Sequence, residues 1–197
     1  MIKTIAFFDF DGTLTTKDTF IEFIKFQKGQ LRFLVGFALL FPILILYKLK
    51  IIANWRAKEI VLTHFFRGDN ILEFKKKAEE YILIALPKIL NPIALEKLSW
   101  HKNQGHRVVV VSASMKEWIE TWTNEQQIEL LSSQLETVDG KITGKIAGKN
   151  CFGIEKVNQI KSVIDLEEYP NIFAYGDSNG DKELLAIANN PFYRKFY

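Results

Sequence analysis

Asp9 and Asp11 are two residues apart and run into Gly12-Thr13-Leu14-Thr15. While the backbone stays extended, their side chains lie on one side. Two carboxylates that close disfavour simultaneous ionisation unless a cation is present, an arrangement that suits split roles. Gly12 permits a sharp exit from the strand. Later in the chain, 176–181 reads Gly-Asp-Ser-Asn-Gly-Asp and supplies Asp177 and Asp181. Asp9, Asp11 and Asp177 with nearby carbonyls make a hard oxygen site suited to Mg²⁺, with water and an anionic ligand completing the shell. Ser112-Ala113-Ser114 follows a valine run, and Lys156 stands at the start of a helix-like segment. Each residue taken singly also has a structural reading. Asp-x-Asp-Gly is an ordinary turn, Ser112 and Asp177 are good helix caps, and Lys156 is a solvated lysine with Lys161 as a nearby rival.

The elements that must bring these groups together are legible from hydrophobic periodicity. Short apolar runs at Thr4–Phe8, 108–111, within 129–136 and at 172–175 predict buried parallel strands. Helix-like spacing separates them at 115–125, 154–164 and 182–188; in the first, Met115, Trp118, Ile119 and Trp122 share one face. Alternating strands and helices predict a Rossmann-like, doubly wound α/β sheet. In such sheets ligands bind beyond the carboxyl ends of the strands, where all three polar segments lie. The Asp139-Gly140 turn predicts a β-hairpin. Residues 17–90 break the rhythm with helix-like patterns alone, and Pro87 and Asn91-Pro92 mark the return. The expected organisation is an α/β core over 1–16 and 91–197 with an all-helical insertion at 17–90.

The composition of the 197 residues, 48% hydrophobic and 25% charged, excludes a disordered chain. A single cysteine, Cys151, excludes an internal disulfide and a cysteine zinc cluster and fits a reducing, cytoplasmic setting. The net charge of +3 is too small to imply nucleic-acid binding. It is unevenly spread: residues 17–90 hold 13 Lys and Arg against 7 Asp and Glu, and the remainder holds 13 against 16. A basic insertion suits an anion, whether a phosphorylated small molecule or an anionic membrane surface. No signal peptide is expected, because Asp9 and Asp11 break the first apolar run at once. Residues 33–47 carry no charge, and as a helix would span about 22 Å, short of a bilayer core. Gly36 and Pro42 predict a bent helix or two short ones, and the segment is expected to be the buried seam of the insertion. Exposed, it would be an interaction patch at the inner face of a membrane.

In order and spacing these motifs resemble the haloacid dehalogenase superfamily of phosphatases, in the branch with a helical cap after the first motif, to which phosphoserine phosphatases belong. The resemblance covers nearly the whole chain. It implies that Asp9 is the nucleophile forming an aspartyl-phosphate and that Asp11 is the general acid and then the base. It further implies that Ser112 hydrogen-bonds the phosphoryl group and that Lys156, in the run 150–157, offsets its charge. Asp9, Asp177 and the Asp11 backbone carbonyl would ligate Mg²⁺, with Asp181 holding the metal's waters or Lys156. Thr13, Ala113, Ser114 and Ser178 join the substrate-binding loops. Asp18 and Arg56 match the residues that hold the amino and carboxylate groups of phosphoserine. Gly180 departs from those enzymes, which usually have asparagine there. The long apolar cap segment resembles a related group that includes phosphatidylglycerophosphatases. The implied substrate is therefore a small phosphorylated metabolite such as phosphoserine or a lipid phosphate such as phosphatidylglycerophosphate. Two other readings compete: a receiver-like phospho-acceptor, and a membrane-associated binding protein with a vestigial phosphatase core. His64, His101 and His106 match no motif.

Overall fold

The computed structural model describes residues 3–196. Five strands form one parallel sheet in the order β3-β2-β1-β6-β7. They are β1 (Thr4–Phe8), β2 (Arg107–Met115), β3 (Glu129–Ser133), β6 (Asn171–Gly176) and β7 (Asn190–Tyr193). All five residues of β1 are buried, because the strand is central and both its faces are covered. Ile5 and Phe7 pack on one face with Val109, Val111 and Ile160; Ala6 and Phe8 pack on the other with Val110 and Tyr175. The expected doubly wound α/β architecture is therefore present. β7 gave no sequence signal, being a short, half-exposed edge strand that contains a proline.

Four α-helices occupy the segment 17–90 that follows β1: α1 (Thr19–Lys28), α2 (Gln30–Lys48), α3 (Asn54–Phe66) and α4 (Ile71–Ile84). Asp18 caps α1 by accepting from the Ile21 N–H, and Asn70 caps α4. Asn91 accepts from the N–H groups of Ile93 and Ala94 and starts α5 (Pro92–Asn103), so the chain returns to the sheet where Asn-Pro predicts it. Aromatic rings join the helices to the sheet: Trp118 stacks on Phe23 at 4.9 Å between centroids, and Phe23 meets Tyr81 at 5.3 Å.

The segment at 115–125 is not one helix. Met115 ends β2, a short 3-10 turn follows, and only Glu120–Glu125 is α-helical (α6). Trp118, Ile119 and Trp122 are buried in either conformation, so the periodicity recorded burial more than helix length. The hairpin forms as expected, β4 (Leu135–Val138) with β5 (Lys141–Ile146). It packs on α3: the Ile146 N–H donates to Glu59 at 3.0 Å, and Gly144 sits so close to Thr63 that a Cβ there would lie 2.4 Å from the Thr63 Cα. Two further helices, α7 (Ile154–Val163) and α8 (Lys182–Ala186), flank β6 in sequence.

The segment at 33–47 differs from expectation on two counts. It lies within one continuous helix, α2, and it is not a buried seam. Only Gly36 and Leu40 are buried, while Leu39 and Phe41 are 67% and 60% exposed. Gly36 accounts for the single line of close contact, since a Cβ there would lie 2.4 Å from the Phe65 ring. Pro42 is exposed, so the Ala38 carbonyl that loses its helical donor is on the side away from the fold.

Candidate active site

The carboxyl ends of β1, β2 and β6 open into one cavity of about 500 Å³, whose wall includes Asp9, Asp11, Ser114, Lys156, Asp177 and Asp181. Asp9 extends β1 by one residue, its N–H donating to the Tyr175 carbonyl at 2.9 Å. A wide turn over Phe10–Leu14 follows. Gly12 has φ of +78°, and a Cβ there would lie 2.5 Å from Asp177 Oδ2. Glycine is thus required twice, by the left-handed backbone and by the approach of a carboxylate from another strand.

Lys156 stands at the start of α7 with its side chain 2% exposed, and its Nζ donates to Asp9 Oδ1 at 2.5 Å and to Asp181 Oδ1 at 2.6 Å. The other oxygen of Asp181 accepts from the backbone N–H groups of Asp177 and Ser178 and from Ser178 Oγ. Burial works against the Asp181 charge, but Lys156 and these donors outweigh it and hold the carboxyl below its ordinary range. Asp9 goes the other way: burial pushes its carboxyl well above the ordinary range, against the pull of Lys156 and helped by the charges of Asp181 and Asp11. A second cation beside Asp9 would oppose that shift and favour the ionised carboxylate. Asp9, Asp177 and Asp181 each offer an oxygen within 4.8 Å of the others, a donor set that fits Mg²⁺ in charge and hardness.

The Asp11 carboxylate is turned elsewhere. Its Oδ1 accepts from the Thr19 N–H and hydroxyl at 2.7 and 2.6 Å, and its Oδ2 accepts from Ser114 Oγ at 2.5 Å. Two carboxylates that an extended backbone would place on one side are thus distinguished by their partners: Asp9 meets the Lys156 ammonium, Asp11 meets two hydroxyls and an amide. Thr19, the first residue of α1, went unnoticed in the sequence because its role depends on that helix folding back over the turn.

Asp18 and Lys58 line the same cavity. Although Asp18 keeps one side open, burial of the rest and the nearby Asp11 charge push its carboxyl up to about 6. Lys58 Nζ donates to the Ala113 carbonyl at 2.8 Å, and burial pulls its pKa down while Asp11 and Asp18 oppose the shift. Arg56 is not brought to the cavity: it is exposed and absent from the wall, which Lys58 lines instead. Two residues apart on a helix point to different faces, and only the packing of α3 chooses between them. Thr13 is likewise not brought to the cavity; it is buried beneath the turn. Ser112 is fully buried behind the wall, its Oγ accepting from the Ser114 N–H at 3.0 Å. Ala113, Ser114 and Ser178 do line the cavity, and none of the three histidines does.

The haloacid dehalogenase-like hydrolase family matches residues 6–186 of the chain, a span that begins inside β1 and ends with α8. The chain belongs to this family. Protein CicA of Caulobacter vibrioides is 32% identical over 194 residues, covering 96% of the chain and 85% of that relative. A probable phosphatase of Mycobacterium tuberculosis is 27% identical over 189 residues, covering 93% of the chain and 66% of the relative. Among solved structures, a Bordetella pertussis Tohama I protein of unknown function aligns with a TM-score of 0.79 at 19% identity, covering 98% of this chain and 89% of that one. A phospho-aspartyl intermediate analogue of phosphoserine phosphatase aligns at 0.63 with 21% identity, covering 95% and 84%. The resemblance read from the motifs and the α/β fold expected of a haloacid dehalogenase-like hydrolase both hold.

Proposed function

We propose that this haloacid dehalogenase-type phosphatase hydrolyses phosphate monoesters through an aspartyl-phosphate on Asp9. What carries the reading is the pairing just described: a buried Asp9 held by Lys156 at the floor of the cavity, beside an Asp11 carboxylate that three donors hold in place. An Asp9 oxygen attacks phosphorus as the bond from phosphorus to the ester oxygen breaks, and the Asp11 carboxyl gives its proton to the leaving alkoxide. Asp11, now a carboxylate, then takes a proton from water as that water attacks phosphorus and the Asp9–phosphorus bond breaks, releasing inorganic phosphate. Asp9 and Asp177, with the Asp11 backbone carbonyl, would hold Mg²⁺, and Asp181 would steady its surroundings. When bound, the ion supplies charge neutralisation at Asp9 and the phosphoryl oxygens.

Lys156 offsets the negative charge on Asp9 and keeps the nucleophile oriented. Ser112 supports the phosphate loop through the Ser114 N–H, and the Ala113–Ser114 segment with Ser178 faces the phosphoryl group. Asp18 and Lys58 meet the leaving group, the former preferring an amine or hydroxyl and the latter an anion. The helices at 17–90 act as a cap that excludes water from the first step. A receiver-like reading is disfavoured because the acid at the end of β1, the central strand, is the one paired to the buried lysine.

The test is phosphate release from a soluble aryl phosphate, with and without Mg²⁺, by the native protein and by Asp9→Asn. The variant should fold normally and lose turnover by at least about 10³-fold, the scale expected when a nucleophile is removed. Substantial retained activity would refute the assignment of Asp9.

A further inference from the structure

The outer half of α2 is apolar and uncovered. The helix has 19 residues and is about 28 Å long. On its repeat of about 3.6 residues, Leu31, Leu34, Val35, Leu39, Phe41 and Ile45 fall on one half, and all six are exposed. The opposite half is equally apolar but belongs to the fold: Gly36 abuts the Phe65 ring, Phe37 lies 5.8 Å from that ring, and Phe37, Leu44 and Tyr47 line the catalytic cavity. A helix that is apolar all round needs cover on both sides, and here one side has none among the described residues.

The surrounding charge points to the occupant. Residues 23–58 contain seven Lys and Arg and no Asp or Glu. Lys25 and Lys28 are spent on Glu22 and Asp69, and Lys58 is inside the cavity. Arg32, Lys48, Lys50 and Arg56 remain exposed and have no ion pair among the described residues. Arg32 and Lys48 stand at the two borders of the apolar half, where their long stems allow the charged heads to reach a headgroup layer while the apolar side chains enter the acyl boundary. Gly36 and Phe37 against Phe65, and the hydrogen bond from Asn54 Nδ2 to Tyr47 Oη at 2.9 Å, tie α2 to α3 at its middle and near its end, an attachment that suits a helix lying in the plane of a bilayer and not one crossing it.

We propose that α2 docks this protein onto an anionic lipid bilayer, with the cavity beneath it open to a phosphate monoester that carries an apolar tail and is anchored in the same bilayer. The second half of the proposal rests on the phosphomonoesterase reading above; the first half does not. Phe37, Leu44 and Tyr47, on the inner half of the same helix, give the cavity an apolar wall along which an acyl chain can lie while its phosphate reaches Asp9.

The experiment is co-sedimentation of the full chain with vesicles of phosphatidylcholine alone and with about 30 mol% phosphatidylglycerol. It compares the native protein with Leu39→Glu/Phe41→Glu and with Arg32→Gln/Lys48→Gln/Lys50→Gln, and sedimentation without vesicles reports oligomeric state. The native protein should bind the anionic vesicles at least about 10-fold more tightly than the neutral ones. The Leu39/Phe41 variant should lose that binding, and the charge variant should lose about five-fold per cation removed. Both variants should cleave a soluble aryl phosphate at the native rate, which shows that they fold and tests the catalytic reading separately. With dioleoyl phosphatidic acid in vesicles against glycerol 3-phosphate in solution, the native protein should favour the lipid at least about 10-fold, an advantage the Leu39/Phe41 variant lacks. Failure to bind any vesicle overturns the docking. So does a vesicle-free dimer that Leu39→Glu/Phe41→Glu splits, because a second copy then covers the face. Docking without a lipid preference in turnover overturns the substrate half alone.

Discussion

Replacing Lys156 by methionine tests the electrostatic design of the site most directly. The side chain keeps its length and loses its charge at a position 2% exposed, 2.5 Å from Asp9 and 2.6 Å from Asp181. Removing one partner of a buried pair leaves the other charge uncompensated at a cost of about 3–5 kcal/mol. Both carboxyls then stand buried without their cation, which raises the pKa of each further. Asp9 is already pushed above its ordinary 3.8 by burial, so it takes up most of the change. A carboxyl whose folded pKa is raised costs nothing below its unfolded pKa, and the cost grows as pH climbs toward the folded one. Lys156→Met should therefore lose about 3–5 kcal/mol at pH 8, much less near pH 4, and take up a proton on folding between them. Denaturant unfolding across pH measures this, with Lys161→Met, exposed on the same helix, as the control expected within about 0.5 kcal/mol of native. Saturating Mg²⁺ should recover part of the loss. A loss under about 1 kcal/mol that does not vary with pH would refute the argument that Lys156 neutralises this carboxylate pair.

Two further outcomes follow from the geometry. Gly12→Ala forces a side chain into a backbone with φ of +78° and 2.5 Å from Asp177 Oδ2; it should cost about 1–2 kcal/mol and raise the Mg²⁺ concentration needed for half-maximal activity, so a native metal response would count against Asp177 as a ligand. Asp18→Asn retains a helix-capping side chain and removes a charge whose pKa is pushed up to about 6 from 3.8. Discounted for its open side, the gain in stability should be about 1 kcal/mol at pH 8, should fade as pH falls from about 6 to about 4, and should be gone below that, where the native carboxyl is protonated in both states; equal stability at every pH would show that Asp18 is freely solvated.

The local parts of the site were legible in the chain because they are written in adjacent residues. Asp9, Asp11 and Gly12 share one strand exit, and 176–181 carries the acids of another. Apolar runs fixed β1, β2 and β6 as buried strands, and parallel order then obliges their carboxyl ends to meet. Asn91-Pro92 and Asp139-Gly140 marked a helix start and a hairpin through backbone chemistry that needs no partner. Tertiary packing decided what depends on facing surfaces. The choice of Lys58 over Arg56 follows from which side of α3 meets the cavity, and the grip of Thr19 on Asp11 follows from α1 folding over the turn. Uniform hydrophobicity is the extreme case. A segment such as 33–47 has no polar side to say which half faces inward, so its sequence records that it avoids water but not what covers it. Only the fold shows that one half packs on α3 and the other is left open.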